Sequence, residues 1–140
     1  MVDTTLGALC SSAYADLIRG AYPEEGEYKI ALYSKSNDLR GTSSYSTDGE
    51  WVGAGYEAGG ATLTGWKLEE KGEKVTLTFS DVEWLNADIV VRSALIYRAS
   101  DNKAIRVINF GRDVGVLGGV FTIFLSHGAV IELGPEMIDE

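Results

Sequence analysis

The side chains able to do chemistry are few, and most of them also have a plain structural use. His127 is the sole histidine. It could act as a general base, but Ser-His-Asp or Cys-His catalysis also needs an oriented nucleophile, and no nucleophile-elbow pattern accompanies it. Ser126 is only its backbone neighbour, so Ser126-His127-Gly128 reads as an ordinary turn. The single cysteine, Cys10, excludes an intramolecular disulfide and offers no set of thiolate ligands for zinc. It falls in an apolar helical stripe, where a small buried hydrophobe is expected rather than a reactive thiolate. Carboxylates are plentiful, and a glycosidase pair would need two of them roughly 5–9 Å apart in a cleft. Glu69 with Glu70, and Asp81 with Glu83, are the candidates, but their strand-end and turn positions favour a solvated face. No Asp-rich loop has calcium-site spacing and no His or Cys cluster suggests a transition metal, so neither metal nor cofactor is expected.

The stretch Gly53-Ala54-Gly55-Tyr56-Glu57-Ala58-Gly59-Gly60 superficially resembles a dinucleotide loop. Its third glycine falls one place late, and Ala61-Thr62-Leu63-Thr64 follows as a strand pattern with no helix to receive a pyrophosphate. The nucleotide reading is rejected, and the glycines mark a bulge or a close backbone approach instead. Aromatic residues offer a different chemistry. Trp51, Trp66 and Trp84, with Tyr14, Tyr22, Tyr28, Tyr33, Tyr45, Tyr56 and Tyr97, could stack on sugars or form an interface. Trp66 and Trp84 are expected in the core, while Tyr45 and Trp51 flank a long polar loop.

Charge is uneven. Residues 1–90 carry a net charge of −8, residues 91–113 of +3 and the last 27 of −4. The basic segment holds Arg92, Arg98, Lys103, Arg106 and Arg112 against Asp101 and Asp113. An acidic body with one basic hairpin can dock on copies of itself or on an acidic partner; a solvated hairpin face is the alternative. The candidate interface residues are Tyr45, Trp51, Tyr56, Arg98, Lys103 and Arg106.

These residues must be held by a mostly β framework. Only the first 20 residues read as helix: Leu6, Leu9, Cys10, Ala13, Leu17 and Ile18 recur at spacings of three and four, Thr4 or Thr5 can cap, and Gly20 ends it. Pro23 and Glu24-Glu25-Gly26-Glu27 make a turn into the strand Tyr28–Tyr33. Residues 34–50 form the longest irregular stretch, and a loop of that length is often an interaction loop. Further strands are expected over 51–56 and 62–69, then over 75–79 after a turn at Lys71-Gly72-Glu73. Residues 81–86 read as a turn-rich bridge, and 89–91 and 93–98 as two strands. A hairpin at 99–103 returns through 104–110. Gly111, Gly115, Gly118 and Gly119 punctuate a loop, and the pair 120–125 and 129–133 closes the fold. Short strands at regular spacing argue for an all-β fold, an antiparallel β-sandwich or jelly-roll-like barrel with one N-terminal α-helix. A single domain is expected over 1–140: helix and arm over 1–22, β-sandwich over 23–134, acidic tail over 135–140.

Composition supports this. The 140 residues include 17 glycines but two prolines, where average usage predicts about ten glycines, a balance that suggests tight turns rather than a linker. A net charge of −9 disfavours general nucleic-acid binding, since affinity for phosphate comes mainly from clustered Lys and Arg. No targeting or membrane-spanning segment is visible, and a reducing cytoplasm is expected as the site of synthesis.

The order of motifs resembles small virion structural proteins of tailed bacteriophages, those described as tail-fibre-like or minor head proteins. The resemblance rests on the helix ending Leu17-Ile18-Arg19-Gly20, on Tyr22-Pro23, on Tyr28–Tyr33 and on Trp51-Val52-Gly53-Ala54-Gly55-Tyr56. It continues in the hairpin from Ser93-Ala94-Leu95-Ile96-Tyr97 to Ala104-Ile105-Arg106-Val107-Ile108, and in Gly119-Val120-Phe121-Thr122-Ile123 and Ala129-Val130-Ile131-Glu132-Leu133. Residues 34–50 and 111–118 depart from it. It implies a non-enzymatic protein located in the virion, with capsid or tail subunits and its own copies as partners, and neither nucleic acid nor membrane. Capsid decoration is the leading expectation and a tail, neck or fibre component the second. A carbohydrate-binding module is the alternative from another class, and a small acid/base hydrolase comes last.

Overall fold

A computed structural model describes residues 10–36, 42–72, 74–125 and 130–133. Several expectations fall outside these residues: the Thr4 and Thr5 caps, Leu6 and Leu9, Glu73, the Ser126-His127-Gly128 turn and the acidic tail. The elements run α1 (Ser11–Ala21), β1 (Tyr28–Tyr33), β2 (Ala61–Thr62), β3 (Lys67–Lys71), β4 (Lys74–Thr78), β5 (Val82–Arg98), β6 (Lys103–Ile123) and β7 (Ile131–Leu133). The chain is mostly β, in two antiparallel sheets of order β2-β1-β5-β6 and β3-β4-β7, with one helix. No closed barrel forms among the described residues.

The helix buries Tyr14, Ala15 and Ile18, one stripe at spacings of three and four, and packs it against β4 and β3. The expected stripe is corrected at two positions. Leu17 points about 100° away from Ile18 around the axis and is 57% exposed, and Cys10 is an exposed free thiol before the first turn. Gly20 lies inside the helix, which ends at Ala21, where the Tyr22 N–H bonds the Ile18 carbonyl at 2.7 Å. Leu17→Asp should therefore lower stability by only about 0.5 kcal/mol; a denaturant-midpoint loss equivalent to several kcal/mol would place Leu17 in the core.

Strand β1 is buried on both faces. Ile30 and Leu32 join the main core, with Val75 and Leu77 of β4, Ile89, Val91 and Ile96 of β5, and Trp84 against Phe121. Ala31 and Tyr33 join a smaller cluster on the opposite face with Leu95 and Tyr97. The expected hairpin about Gly72 forms, with Lys67 opposite Thr78 and Lys71 opposite Lys74, but the expected strand over 62–69 is divided into β2, which pairs with β1, and β3.

The largest correction concerns β5 and β6. The expected bridge at 81–86 and the two strands after it are one strand, and the expected glycine loop at 111–119 is strand as well, paired along β5. Bulges explain why turn-forming residues lie inside strands. Asn86 takes φ 49° where the register shifts between Trp84 and Ala87, a conformation that Asn tolerates. Between the pairs Ser93–Asn109 and Val91–Val114, Arg92 alone faces residues 110–113. Its guanidinium bridges the excursion, donating to Asp113 Oδ1 at 3.1 Å and to the Gly111 carbonyl at 3.3 Å. Residues 51–56 form turns and isolated bridges instead of a strand.

Candidate functional site

The polar loop closes over the small hydrophobic cluster, and its densest constellation is a carboxylate ringed by phenols. The Tyr45 ring stacks on Tyr97 with centroids 4.6 Å apart and planes 17° apart. From there the Tyr45 hydroxyl donates to Glu50 Oε1 at 2.6 Å. Glu50 Oε2 accepts from the Tyr56 hydroxyl and from the Gly59 N–H, the latter at 2.8 Å. The Tyr56 oxygen in turn accepts the Leu32 N–H at 3.0 Å. Tyr97 donates to the Gly59 carbonyl at 2.6 Å, and Tyr33 to the Ser46 carbonyl at 2.7 Å. Residues 44–60 are thus tied to β1 and β5 through four tyrosines and one acid.

Electrostatics follow from this packing. Burial, with the Glu50 charge adding to it, pushes the Tyr33 and Tyr97 phenols up to about 12. Tyr45 and Tyr56 are raised further, first by burial and then by their hydrogen bonds to Glu50, which hold the phenols in the protonated form. A phenol whose folded pKa exceeds its unfolded one contributes stability that is complete below pH 10 and is lost as pH climbs through about 12. Alkaline titration by phenolate absorbance should therefore show late-titrating tyrosines released together with unfolding. All seven tyrosines ionising near pH 10 in an intact fold would contradict it.

The expected interface residues divide in two. Tyr45 and Tyr56 meet at Glu50, and Tyr56 is a correction: at 8% exposure it belongs to the core, because its hydroxyl is needed by both Glu50 and the β1 backbone. Trp51 is half-buried, donating its indole N–H to the Asp88 carbonyl at 2.9 Å. Arg98 forks onto Asp101 at 2.9 and 2.7 Å, donates to the Ala21 carbonyl at 2.6 Å and lies 5.6 Å over the Tyr22 ring. Its role is to close the end of α1, together with the Trp66 indole N–H on the Tyr22 carbonyl at 2.9 Å. The guanidinium holds the Asp101 carboxyl at about 2, well below its ordinary range. Lys103 is exposed beyond this turn, and Arg106 reaches the Val130 carbonyl at 3.4 Å. Trp84 is buried as expected, whereas Trp66 is half-buried.

Sequence reasoning passed over Glu50. The available signal was an acid at the end of a Ser/Thr-rich stretch, two residues after Asp48 and flanked by Tyr45, Trp51 and Tyr56.

Two concave surfaces adjoin these elements. One, of about 250 Å³, is lined by Tyr33, Lys35, Thr42, Ser43, Ser44 and Asp48, with Lys35 Nζ 2.7 Å from Asp48 Oδ2. The other, of about 650 Å³, runs between α1 and β7 past Leu17, Tyr22, Ile105 and Val130. Among the described residues no group of three or more His, Cys, Asp or Glu side chains could hold a metal ion. Among the described residues no helix is long and apolar enough to cross a membrane. Of the candidate glycosidase pairs, Glu69 and Glu70 are successive residues of β3 and so point to opposite faces, and Asp81 and Glu83 are exposed on either side of buried Val82. No protein-family model matches the chain, and no curated protein or solved structure matches it either.

Proposed function

We propose that this chain is a non-enzymatic structural subunit of a tailed-bacteriophage virion, decorating the capsid, with its two sheets packed as a β-sandwich. The observation that carries the reading is a division of labour across the surface. The charged groups best placed for chemistry, Glu50 and Arg98, are occupied in holding loop and helix to the sheet. Large apolar side chains are instead left outside: Val52 is 88% exposed, Leu117 80% and Phe124 59%. Exposed apolar surface of this kind suits a subunit covered by its neighbours. The resemblance of its motifs to tail-fibre-like and minor head proteins supports the same class and leaves a tail, neck or fibre position as the second reading within it. Mass spectrometry of purified virions should find the chain at a fixed copy number per particle, and its absence from particles removes the proposal.

The hydroxyl-rich hollow at Lys35 and Asp48 favours one reading of another class, a carbohydrate-binding module. It would rely on hydrogen bonding, since one face of Tyr45 is covered by Tyr97. Glycan-array binding that disappears in Asp48→Ala would support it, and an array without signal would discard it.

A further inference from the structure

We infer that the outer edge of β6 is a self-association site, where residues 114–123 pair antiparallel with the same strand of a second copy of this chain. Strand β6 is the last of its sheet, with β5 on one side. Near its start the other side is met by the loop, through the bridge between Ser44 and Lys103. Over residues 114–123 no described strand pairs with that side. An unpaired edge presents a row of N–H and C=O groups, and proteins usually guard such edges with charge or by keeping the strand short.

The other edges of this fold carry such guards. Strand β3 has Lys67, Glu69, Glu70 and Lys71 among five residues, β2 has two residues, and β7 has three with Glu132 at its centre. Residues 114–123 carry no charge at all, because Lys103, Arg106, Arg112 and Asp113 all precede them. One bulge interrupts them, at Gly118 with φ 66°, where the register along β5 shifts between Ala87 and Asp88; a regular run of ten residues would span about 33 Å.

The adjoining solvent face is also apolar. Leu85, Val90, Leu117 and Val120 are between 37% and 80% exposed, and Leu117 sits opposite Asp88 on the outward side of the ladder. Three charged positions lie on that face of β5: Asp88, whose Oδ1 accepts the Gly118 N–H at 2.7 Å, Arg92, which pairs with Asp113 at 3.1 Å, and Glu83, exposed opposite Thr122.

Charge selects the occupant. Copies bearing a net −9 repel one another, so a contact between them is favoured where acidic side chains are missing, and this strip is such a place. A strongly charged partner finds nothing here to pair with. A second copy brings an equally long uncharged edge, and a two-fold near Leu117 makes the pairing self-complementary.

Sedimentation of the full chain tests this. The wild type should be a dimer. Leu117→Lys and Leu117→Glu should each raise its Kd about 100-fold by setting like charges across the two-fold, and mixing the two variants should restore a dimer. Because Leu117 is 80% exposed, both variants should keep the wild-type thermal midpoint when all three are measured dilute enough to be monomeric. Hydrogen exchange on the unaltered chain gives a second measurement, with amides of 114–123 gaining protection as concentration rises. A wild type that stays monomeric at its highest soluble concentration overturns the inference, as do variants that remain fully dimeric or amides indifferent to concentration. A monomer would leave the edge to a foreign strand and would not affect the test on virions.

Discussion

Glu50→Ala should lower the unfolding free energy by about 2–4 kcal/mol. The substitution leaves the Tyr45 and Tyr56 hydroxyls and the Gly59 N–H without their acceptor. Hydrogen bonds to a charged group contribute about 1.5–3 kcal/mol each, but they are not additive here. Glu50 is only half-buried, so water replaces part of what is lost. Glu50→Gln keeps the volume and one acceptor oxygen, and a phenol facing the new amide can turn to accept; about half the loss is expected. Tyr45→Phe removes one bond and keeps the stacked ring, for about 1 kcal/mol. Denaturant midpoints at neutral pH measure the series. If Glu50→Ala cost no more than Tyr45→Phe, the carboxylate would not be the pin that holds residues 44–60 to the sheet.

A larger loss is expected at Gly60, which takes φ 87° at the turn into β2. A Cβ added there would lie 1.8 Å from the Ile30 carbonyl oxygen. Ile30 is fully buried in β1 and pairs with Ala61, so neither side can yield without separating the two strands. Backbone strain of about 1–3 kcal/mol adds to an overpacking cost of similar size, and Gly60→Ala should destabilise by about 3–5 kcal/mol. Gly72→Ala is the control. It shares a positive φ of 63° but meets nothing within 4 Å, so only the left-handed penalty of about 1 kcal/mol applies. Equal losses at the two positions would mean that close approach to β1 does not matter.

The two substitutions show where sequence and structure part. That the 53–60 glycines signal a turn or a close backbone approach is legible in their spacing. That Gly60 presses on Ile30, and not on some other backbone, is not. Tyr45 and Trp51 stand out as aromatics beside a polar loop, but the acid that organises that region looks like any surface glutamate until β1, β5 and the loop are brought together. The 111–119 stretch misleads for a related reason. Glycines usually interrupt strands, yet here Gly115 lies so close to β5 that a Cβ would fall 1.8 Å from the Ile89 carbonyl oxygen. A side chain there would push the two strands apart.

Local chemistry in the sequence was sufficient for β1, whose apolar run matches Tyr28–Tyr33, for the β3–β4 hairpin around Gly72, and for the turn before Lys103. It also sufficed for the class, mostly β with one helix, because period-2 patterns and turn residues act over a few neighbours. Tertiary structure decided what depends on residues far apart in the chain. Bulges joined the expected fragments of β5 and β6 into two long strands. Packing against β3 and β4 turned Ile18 inward and Leu17 out, and it sent Arg98 to the end of a helix 77 residues away. Glu50 became the centre of a tyrosine cluster in the same way. Burial and hydrogen bonding are settled by which surfaces meet, and no window of neighbouring residues contains that information.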